Sequence, residues 1–131
     1  MAAFNFHMVV FITMVASMAF CSSATQHTVG DGVGWRIPDN PNLYSEWASR
    51  NIITVGDSLL FNFMMDDVAE VSKEDYDQCS LSNPGSSINN SPATISLITA
   101  GDHYFISSLE GHCSFHQKLA INVVMAETVG F

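Results

Sequence analysis

Short apolar runs separated by turn residues are the feature that most limits how this chain can fold. Residues 93–97 and 119–123 alternate apolar and polar side chains with the period of a half-buried strand. Only residues 42–49 and 73–78 have helical spacing, and both segments are short. A single sheet could not bury the apolar faces of so many strands. The pattern therefore predicts an all-β sandwich of about seven or eight strands with one or two short helices.

Charge is distributed unevenly along the 131 residues, because every charged side chain lies after Gly30. Residues 9–20 form an apolar run of the length of a signal-peptide core, and the small residues Ser22 and Ala24 follow it. The run is shorter than the ~20 residues that a membrane-spanning helix needs, and an uncleaved anchor is the alternative. We therefore expect residues 1–24 to be a signal peptide and residues 25–131 to form one domain.

The net charge limits the partners of the chain. Four Lys and Arg residues stand against 13 Asp and Glu residues, a formal net charge of −9. Such a chain does not neutralise phosphates, so we exclude nucleic acid as a partner. Its 47% of hydrophobic residues is sufficient for a core and excludes a disordered chain. The acidic charge favours a basic partner, bound more weakly as the salt concentration rises.

The cysteines agree with an oxidising compartment. Cys21 falls within the signal segment, which leaves Cys79 and Cys113 as an even pair. A disulfide is the expected state of such a pair in a secreted chain, and two free thiols are the alternative.

Two further patterns bear on the location of the protein. Asn89 begins an Asn-Asn-Ser sequence, a candidate for glycosylation within the Ser-, Asn- and Gly-rich residues 82–92, which we expect to be a long surface loop. Residues 121–125 are not followed by the polar spacer and hydrophobic tail of a lipid anchor. We therefore expect a secreted protein.

Several side chains that could suggest a site have ordinary structural explanations. The acidic pairs at 66–67 and 74–75 lack the spacing of a calcium loop, so we expect them to be solvated. One of the adjacent Met64 and Met65 should fill the core, because neighbours on a strand point to opposite faces. We expect His27 and His103 on strand surfaces. The aromatic residues expected in the core and at its edges are Trp35, Trp47, Tyr44 and Tyr104.

Nothing in the sequence indicates an enzyme. Ser107, His112 and an Asp are the residue types of a hydrolytic triad, but no nucleophile elbow surrounds the serine.

A series of motifs in order along the chain resembles one known family. They are Thr28-Val29-Gly30-Asp31, Gly34-Trp35, Val55-Gly56-Asp57, Gly101-Asp102-His103-Tyr104, Gly111-His112-Cys113 and Gln117-Lys118-Leu119. Over nearly the whole segment after the signal peptide, the chain resembles the phytocyanins, which are plant plastocyanin-like domains of the cupredoxin class. The resemblance implies a Greek-key β-sandwich and a bridge between Cys79 and Cys113.

Members of this family often hold a type-1 copper ion, which needs two imidazoles, a thiolate and a weak axial ligand. The resemblance places His112 at the second-histidine position and Gln117 at the axial position. It places Ser107 where the thiolate would be and Asp66 where the first histidine would be, in a loop about two residues short. A serine hydroxyl keeps its proton near neutral pH and lacks the soft covalency of a thiolate. We therefore predict that the blue copper site is absent, as in the early-nodulin-like branch, and we expect no cofactor.

A weaker metal site is the alternative at the same end of the domain. His116 occupies a position that is usually glycine in the family, and His112 and Asp66 complete a possible set for Cu(II) or Zn(II). Exposed loop residues without a metal are the simpler interpretation.

The sequence therefore predicts a secreted, monomeric, copper-free module that binds an extracellular protein or a cell-wall component in the apoplast. The resemblance also allows the outer face of the plasma membrane. The alternative function is one-electron transfer of the blue-copper type, which would need copper.

Overall fold

The computed structural model describes residues 23–126, so the predicted signal peptide lies outside the described residues apart from Ser23 and Ala24. The strands are β1 (Gln26–Thr28), β2 (Ile53–Thr54), β3 (Ser58–Phe61), β4 (Val68–Val71), β5 (Ser87–Ile88), β6 (Ala93–Ser96), β7 (Gly101–Ile106) and β8 (Lys118–Val124). The α-helices are α1 (Leu43–Arg50) and α2 (Lys73–Gln78), and single 3₁₀ turns cover Asp31–Val33 and Pro84–Ser86. Both predicted helices are confirmed to within one residue.

The strands form two sheets. One has three strands in the order β1-β3-β6, and the other has five in the order β2-β8-β7-β4-β5. The pairs β1–β3 and β2–β8 are parallel, and the other neighbours are antiparallel. The predicted fold class, a β-sandwich with short helices and one disulfide, is confirmed.

The core lies between the sheets and follows the period of the strands. In β8, Leu119, Ile121 and Val123 are buried while the residues between them are not, which is the period of two seen in the sequence. Phe61 of one sheet meets Phe105 of the other, with ring centroids 5.6 Å apart. Apolar contact across the two layers is therefore the main source of stability.

Helix α1 closes one side of the core through two aromatic residues spaced three apart. Tyr44 and Trp47 are each 1% exposed, as is Trp35, so the predicted aromatic core is confirmed for these three. The Tyr44 hydroxyl donates to the Gly34 carbonyl at 2.7 Å and accepts from the Arg36 amide at 3.0 Å. These bonds fix the turn before the helix to its first residues.

Helix α2 positions the disulfide. The Ser72 hydroxyl caps its start by accepting from the Asp75 amide at 3.1 Å. Cys79 ends the helix in the left-handed region at φ 52° and is bonded to Cys113, with the two Cα atoms 5.6 Å apart. The implied pairing is confirmed. It joins α2 to the loop between β7 and β8.

Two histidines expected on strand surfaces are largely buried. The side chains of His27 and His103 are 11% and 10% exposed, and they pair with Asp57 and Glu70 at 2.8 Å. The prediction failed because the partners lie 30 and 33 residues away, beyond any local pattern.

Hydrogen bonding sets the pKa of two of these groups. Burial raises the pKa of Asp57, but hydrogen bonds from the Thr54 amide, the His27 ring and the Thr25 amide outweigh burial and hold that pKa below its usual value. Burial lowers the pKa of His103, but the Glu70 carboxylate and the Thr99 carbonyl reverse the effect, so the pKa of the imidazole is raised.

The segment 82–92 is more ordered than a surface loop. It contains the Pro84–Ser86 turn and strand β5, because the Asn83 side chain accepts from the Gly85 amide at 3.2 Å and starts the turn. Asn89 is exposed directly after β5. In residues 23–126, neither helix has the length and apolar character needed to cross a membrane.

Replacing Cys79 and Cys113 together by Ala should lower the free energy of unfolding by about 3–4 kcal/mol, because the bridge closes a loop of 34 residues in sequence separation. Guanidinium denaturation measures the change. A reducing agent should destabilise the wild-type protein by a similar amount and leave the double variant unchanged. Equal stability of the two proteins under oxidising conditions would contradict the prediction.

Candidate functional site

Three of the predicted site residues converge at one end of the five-stranded sheet. Asp66 lies just before β4, Ser107 directly follows β7, and Gln117 directly precedes β8. Strand β7 pairs with both other strands, with Ile106 opposite Ala69 and Lys118. The register therefore brings the three positions side by side.

The Asp66 carboxylate is the centre of this group. Its Oδ1 accepts from the Ser107 hydroxyl and from the Asp67 amide, both at 2.7 Å. Its Oδ2 accepts from the Gln117 amide nitrogen at 2.9 Å and lies 3.3 Å from His112 Nδ1. We call Asp66, Ser107, His112 and Gln117 the Asp66 cluster.

His112 reaches the cluster from the loop between β7 and β8. Its Nδ1 lies 2.8 Å from Oε1 of the Gln117 side chain and 3.3 Å from Oδ2 of Asp66. Both neighbours are hydrogen-bond acceptors, so Nδ1 carries a proton and donates it. A lone pair on this atom is consequently not available to a metal while the cluster is intact.

Three members of the cluster are buried, whereas the His112 side chain is 27% exposed. Gln117 is 0% exposed, Ser107 1% and Asp66 8%. Among the described residues, no buried side-chain nitrogen or oxygen lacks a hydrogen-bond partner. The buried polar groups of the cluster therefore have the hydrogen-bond partners that burial requires.

Asp67 and Asp66 were expected to be solvated, and that prediction is wrong. Asp67 is 5% exposed, because it enters β4 directly before the buried Val68. Its carboxylate accepts from the Ser87 hydroxyl at 2.6 Å, from the Ser108 amide at 2.8 Å and from the Ser108 hydroxyl.

These donors determine the charge state of Asp67. Burial raises the pKa of its carboxyl, but hydrogen bonds from Ser108, Ser87 and Ser107 outweigh burial and hold the pKa below its usual value. The carboxylate therefore stays ionised in the folded protein at neutral pH.

The donor atoms of the cluster differ from those of a type-1 copper site. Such a site takes two imidazoles and a thiolate. The cluster offers one imidazole, a carboxylate, a hydroxyl and a carboxamide, all engaged with one another. The sulfur of the nearby Cys113 is bonded to Cys79. These residues do not fit a type-1 copper ion.

His116 is separated from the cluster. It is exposed and lines a different, small pocket together with Tyr76 and Lys118. Within residues 23–126, the structure does not group three His, Cys, Asp or Glu side chains as a set of metal ligands. The backbone of His116 is left-handed, with φ 76°, a conformation that glycine adopts without strain.

Apolar side chains are exposed near the cluster. Met64 and Met65 are 90% and 98% exposed, so neither fills the core, contrary to prediction, because the chain leaves β3 after Phe61 and does not extend it through them. Phe115, in the loop that carries His112, is 65% exposed. We call Met64, Met65 and Phe115 the rim.

Comparisons with known proteins agree with this fold. The family model of the plastocyanin-like domain matches residues 35–117. Cucumber peeling cupredoxin from Cucumis sativus is 43% identical over 107 residues, which cover 79% of this chain and 78% of that protein. Early nodulin-like protein 5 from Arabidopsis thaliana is 37% identical over 114 residues, which cover 85% of this chain and 61% of that protein.

A solved structure gives the class of fold. The Cu²⁺ form of cucumber stellacyanin superposes with a TM-score of 0.76 at 42% identity, over 81% of this chain and 100% of that one. The protein is thus a cupredoxin-type β-sandwich. Within that class, the chain belongs to the phytocyanin family.

Reasoning from residue types alone missed the burial of Asp67 and the role of Trp35. The Trp35 indole donates to the Asp67 carbonyl at 2.8 Å and ties the residues before β4 to the core. The position of two adjacent acids directly before the apolar Val68 and Ala69 was the available signal, since a strand that enters a core also carries its first residues inward.

Asp67→Asn should lower the free energy of unfolding at neutral pH by about 1–3 kcal/mol, because an amide cannot accept every bond that the carboxylate accepts. The folded pKa of Asp67 lies below that of an unfolded Asp, about 3.9. Its contribution is therefore complete above that value and is lost as the pH falls through the folded pKa.

Urea denaturation from neutral to strongly acidic pH measures this effect. The difference between wild type and variant should shrink below about pH 4. Asp39→Asn, whose side chain is 96% exposed, is the control and should change stability by less than about 0.5 kcal/mol. A difference that stayed constant into acid would contradict the assignment.

Proposed function

We propose that this phytocyanin is a non-enzymatic extracellular module that binds a partner and holds no type-1 copper ion. The observation that carries the proposal is the closed hydrogen bonding of the Asp66 cluster at the positions that family resemblance gives to the copper ligands. The side chains of the cluster serve as hydrogen-bond partners for one another, in the place where a bound cation would otherwise be the partner.

Copper would have to disrupt this arrangement at several atoms. The proton on His112 Nδ1 would be displaced, and the carboxamide of Gln117 would lose Asp66 or His112 as a partner. No thiolate is present to compensate, since the position next to Ile106 is Ser107. The proposal therefore rests on donor chemistry and on the donors being engaged.

Titration of the oxidised protein with Cu(II), followed by visible absorption and electron paramagnetic resonance, tests the proposal. We expect no intense thiolate-to-copper band and no rise in the melting temperature with one equivalent of metal. A site filled at 100 times its Kd would stabilise the fold by about 2.7 kcal/mol, an easily measured shift.

The alternative is one-electron transfer, and the likeness to the Cu²⁺ form of cucumber stellacyanin is the observation that favours it. An intense visible band in the wild-type protein would support this alternative and overturn the copper-free module. It would also mean that a cysteine sulfur is free to bind the metal.

The assignment of Asp66 and Ser107 to the copper-ligand positions is tested by building a copper site there. Asp66→His combined with Ser107→Cys should produce an intense visible band with Cu(II), because it adds the missing imidazole and thiolate next to His112 and Gln117. The control pairs Asp66→His with Ser108→Cys, one residue further along, and should stay colourless. Copper binding without colour in the first variant would show that these positions are not the ligand positions.

The partner is proposed from charge and surface. The chain carries a net charge of −9, and the rim exposes apolar side chains beside the Asp66 cluster. The acidic charge would attract a basic protein or cell-wall component at short range, where salt screens the attraction only weakly. That partner would then contact the rim. Secretion to the apoplast, or attachment at the outer face of the plasma membrane, and a monomeric state are parts of this proposal.

Capture of basic proteins from plant extracellular fluid tests the partner surface. Binding should fall between roughly 0.05 and 0.5 M salt. It should also fall in the variant Met65→Ser with Phe115→Ser. Ile98→Ser is the matched control, because Ile98 is also apolar and is 78% exposed. It follows the last residue of β6, whereas the first residue of that strand, Ala93, pairs with Phe61 at the end of β3 that leads to Met64 and Met65. Capture that neither salt nor the rim variant reduces would count against the proposal.

A further inference from the structure

A small pocket lies between the start of α1, helix α2 and the start of β8. Its volume is 110 Å³, roughly that of a few water molecules at about 30 Å³ each. Its lining includes Tyr44 and Ser45 of α1, Pro41 just before that helix, Tyr76 of α2, and His116 and Lys118. The pocket is separate from the Asp66 cluster, although Gln117 lies in sequence between two of its residues.

Lys118 supplies a fixed positive charge to this pocket. Its Nζ donates to the Tyr76 carbonyl at 2.9 Å and lies 4.2 Å from the centre of the Tyr76 ring. The ammonium is therefore held in place by the protein, and its remaining N–H bonds are open to a ligand.

Lys118 also differs from the other cations of the chain. Arg36, Arg50 and Lys73 each lie within 3.9 Å of an Asp carboxylate. In residues 23–126, no carboxylate approaches Lys118 to ion-pair distance. The whole chain nevertheless has 13 acidic residues against 4 Lys and Arg. A cation left without a carboxylate in so acidic a protein is free to pair with an external one.

His116 adds a second nitrogen donor at the edge of the pocket. Its left-handed backbone is disfavoured for a residue with a side chain, and such strain often accompanies a functional position. The ring of Tyr76, tilted by 50° against that of Tyr104 with the ring centroids 5.2 Å apart, gives the pocket an apolar wall.

We propose that this pocket binds a small carboxylic acid with a flat apolar body. The carboxylate pairs with the Lys118 ammonium and accepts from the His116 ring, and the apolar body packs against Pro41 and the edge of the Tyr76 ring, whose face the ammonium already covers. The size of the pocket limits the ligand to about the size of benzoate. The inference does not depend on whether the Asp66 cluster binds copper.

Titration of the purified protein with sodium benzoate, followed by amide chemical shifts in NMR, tests the proposal. A ligand this small should bind in the millimolar range, with the largest shifts at His116, Lys118, Ala120 and Ser45. Benzyl alcohol, which has the same ring and no charge, should bind at least tenfold more weakly.

Two variants and one control separate this site from general attraction to a cation. Lys118→Met keeps the packing of the stem and should weaken benzoate binding at least tenfold. His116→Gly suits the left-handed backbone and should weaken it several-fold. Lys73→Met removes a cation paired with Asp77 and should leave binding unchanged.

Some results would overturn the proposal. These are shifts that do not saturate, benzyl alcohol binding as well as benzoate, or benzoate affinity that Lys118→Met leaves unchanged. Because the Lys118→Met melting curve is measured in parallel, loss of binding through unfolding is recognised directly.

Discussion

A buried carboxylate is tolerated only where several donors meet it, and this constraint organises the end of the domain around Asp66. The side-chain donors all come from the loop between β7 and β8, two of them from its ends. Ser107, Gln117 and His112 therefore have fixed positions as soon as Asp66 is placed before β4. The disulfide at Cys113 holds the same loop against α2. The loop is thus restrained from two sides, by the disulfide and by its hydrogen bonds to Asp66.

The same β-sandwich can carry sites of very different charge at the end where the Asp66 cluster lies. In a metal-bound relative a cation would sit among its ligands, whereas here a carboxyl group sits among hydrogen-bond donors. Asp67 extends this by placing an ionised carboxylate next to that of Asp66, matched by serine hydroxyls and a backbone amide. The sandwich itself, with Phe61 against Phe105, does not depend on which arrangement is present. Fold and site chemistry are therefore separable in this family.

Local patterns predicted what depends on local geometry. The alternation in β8 and the short helical segments are read from neighbouring residues, and the buried Trp35, Tyr44 and Trp47 follow from size and apolarity. The contacts of the Asp66 cluster join residues 41 and 51 positions apart, so periodicity could not reveal them, and only the likeness to a family placed them together. The pairing of His103 with Glu70, 33 residues away, was beyond a local pattern for the same reason.

The closed pairing of the Asp66 cluster has an evolutionary consequence. Each member satisfies at least one other, so a single substitution toward a metal ligand strands a buried polar partner before any metal affinity has been gained. An unpaired buried group costs about 1–3 kcal/mol, a large part of the stability of a small domain. Single substitutions from this cluster toward a set of copper ligands therefore pass through less stable proteins, and a prior gain of stability elsewhere would make such a passage easier.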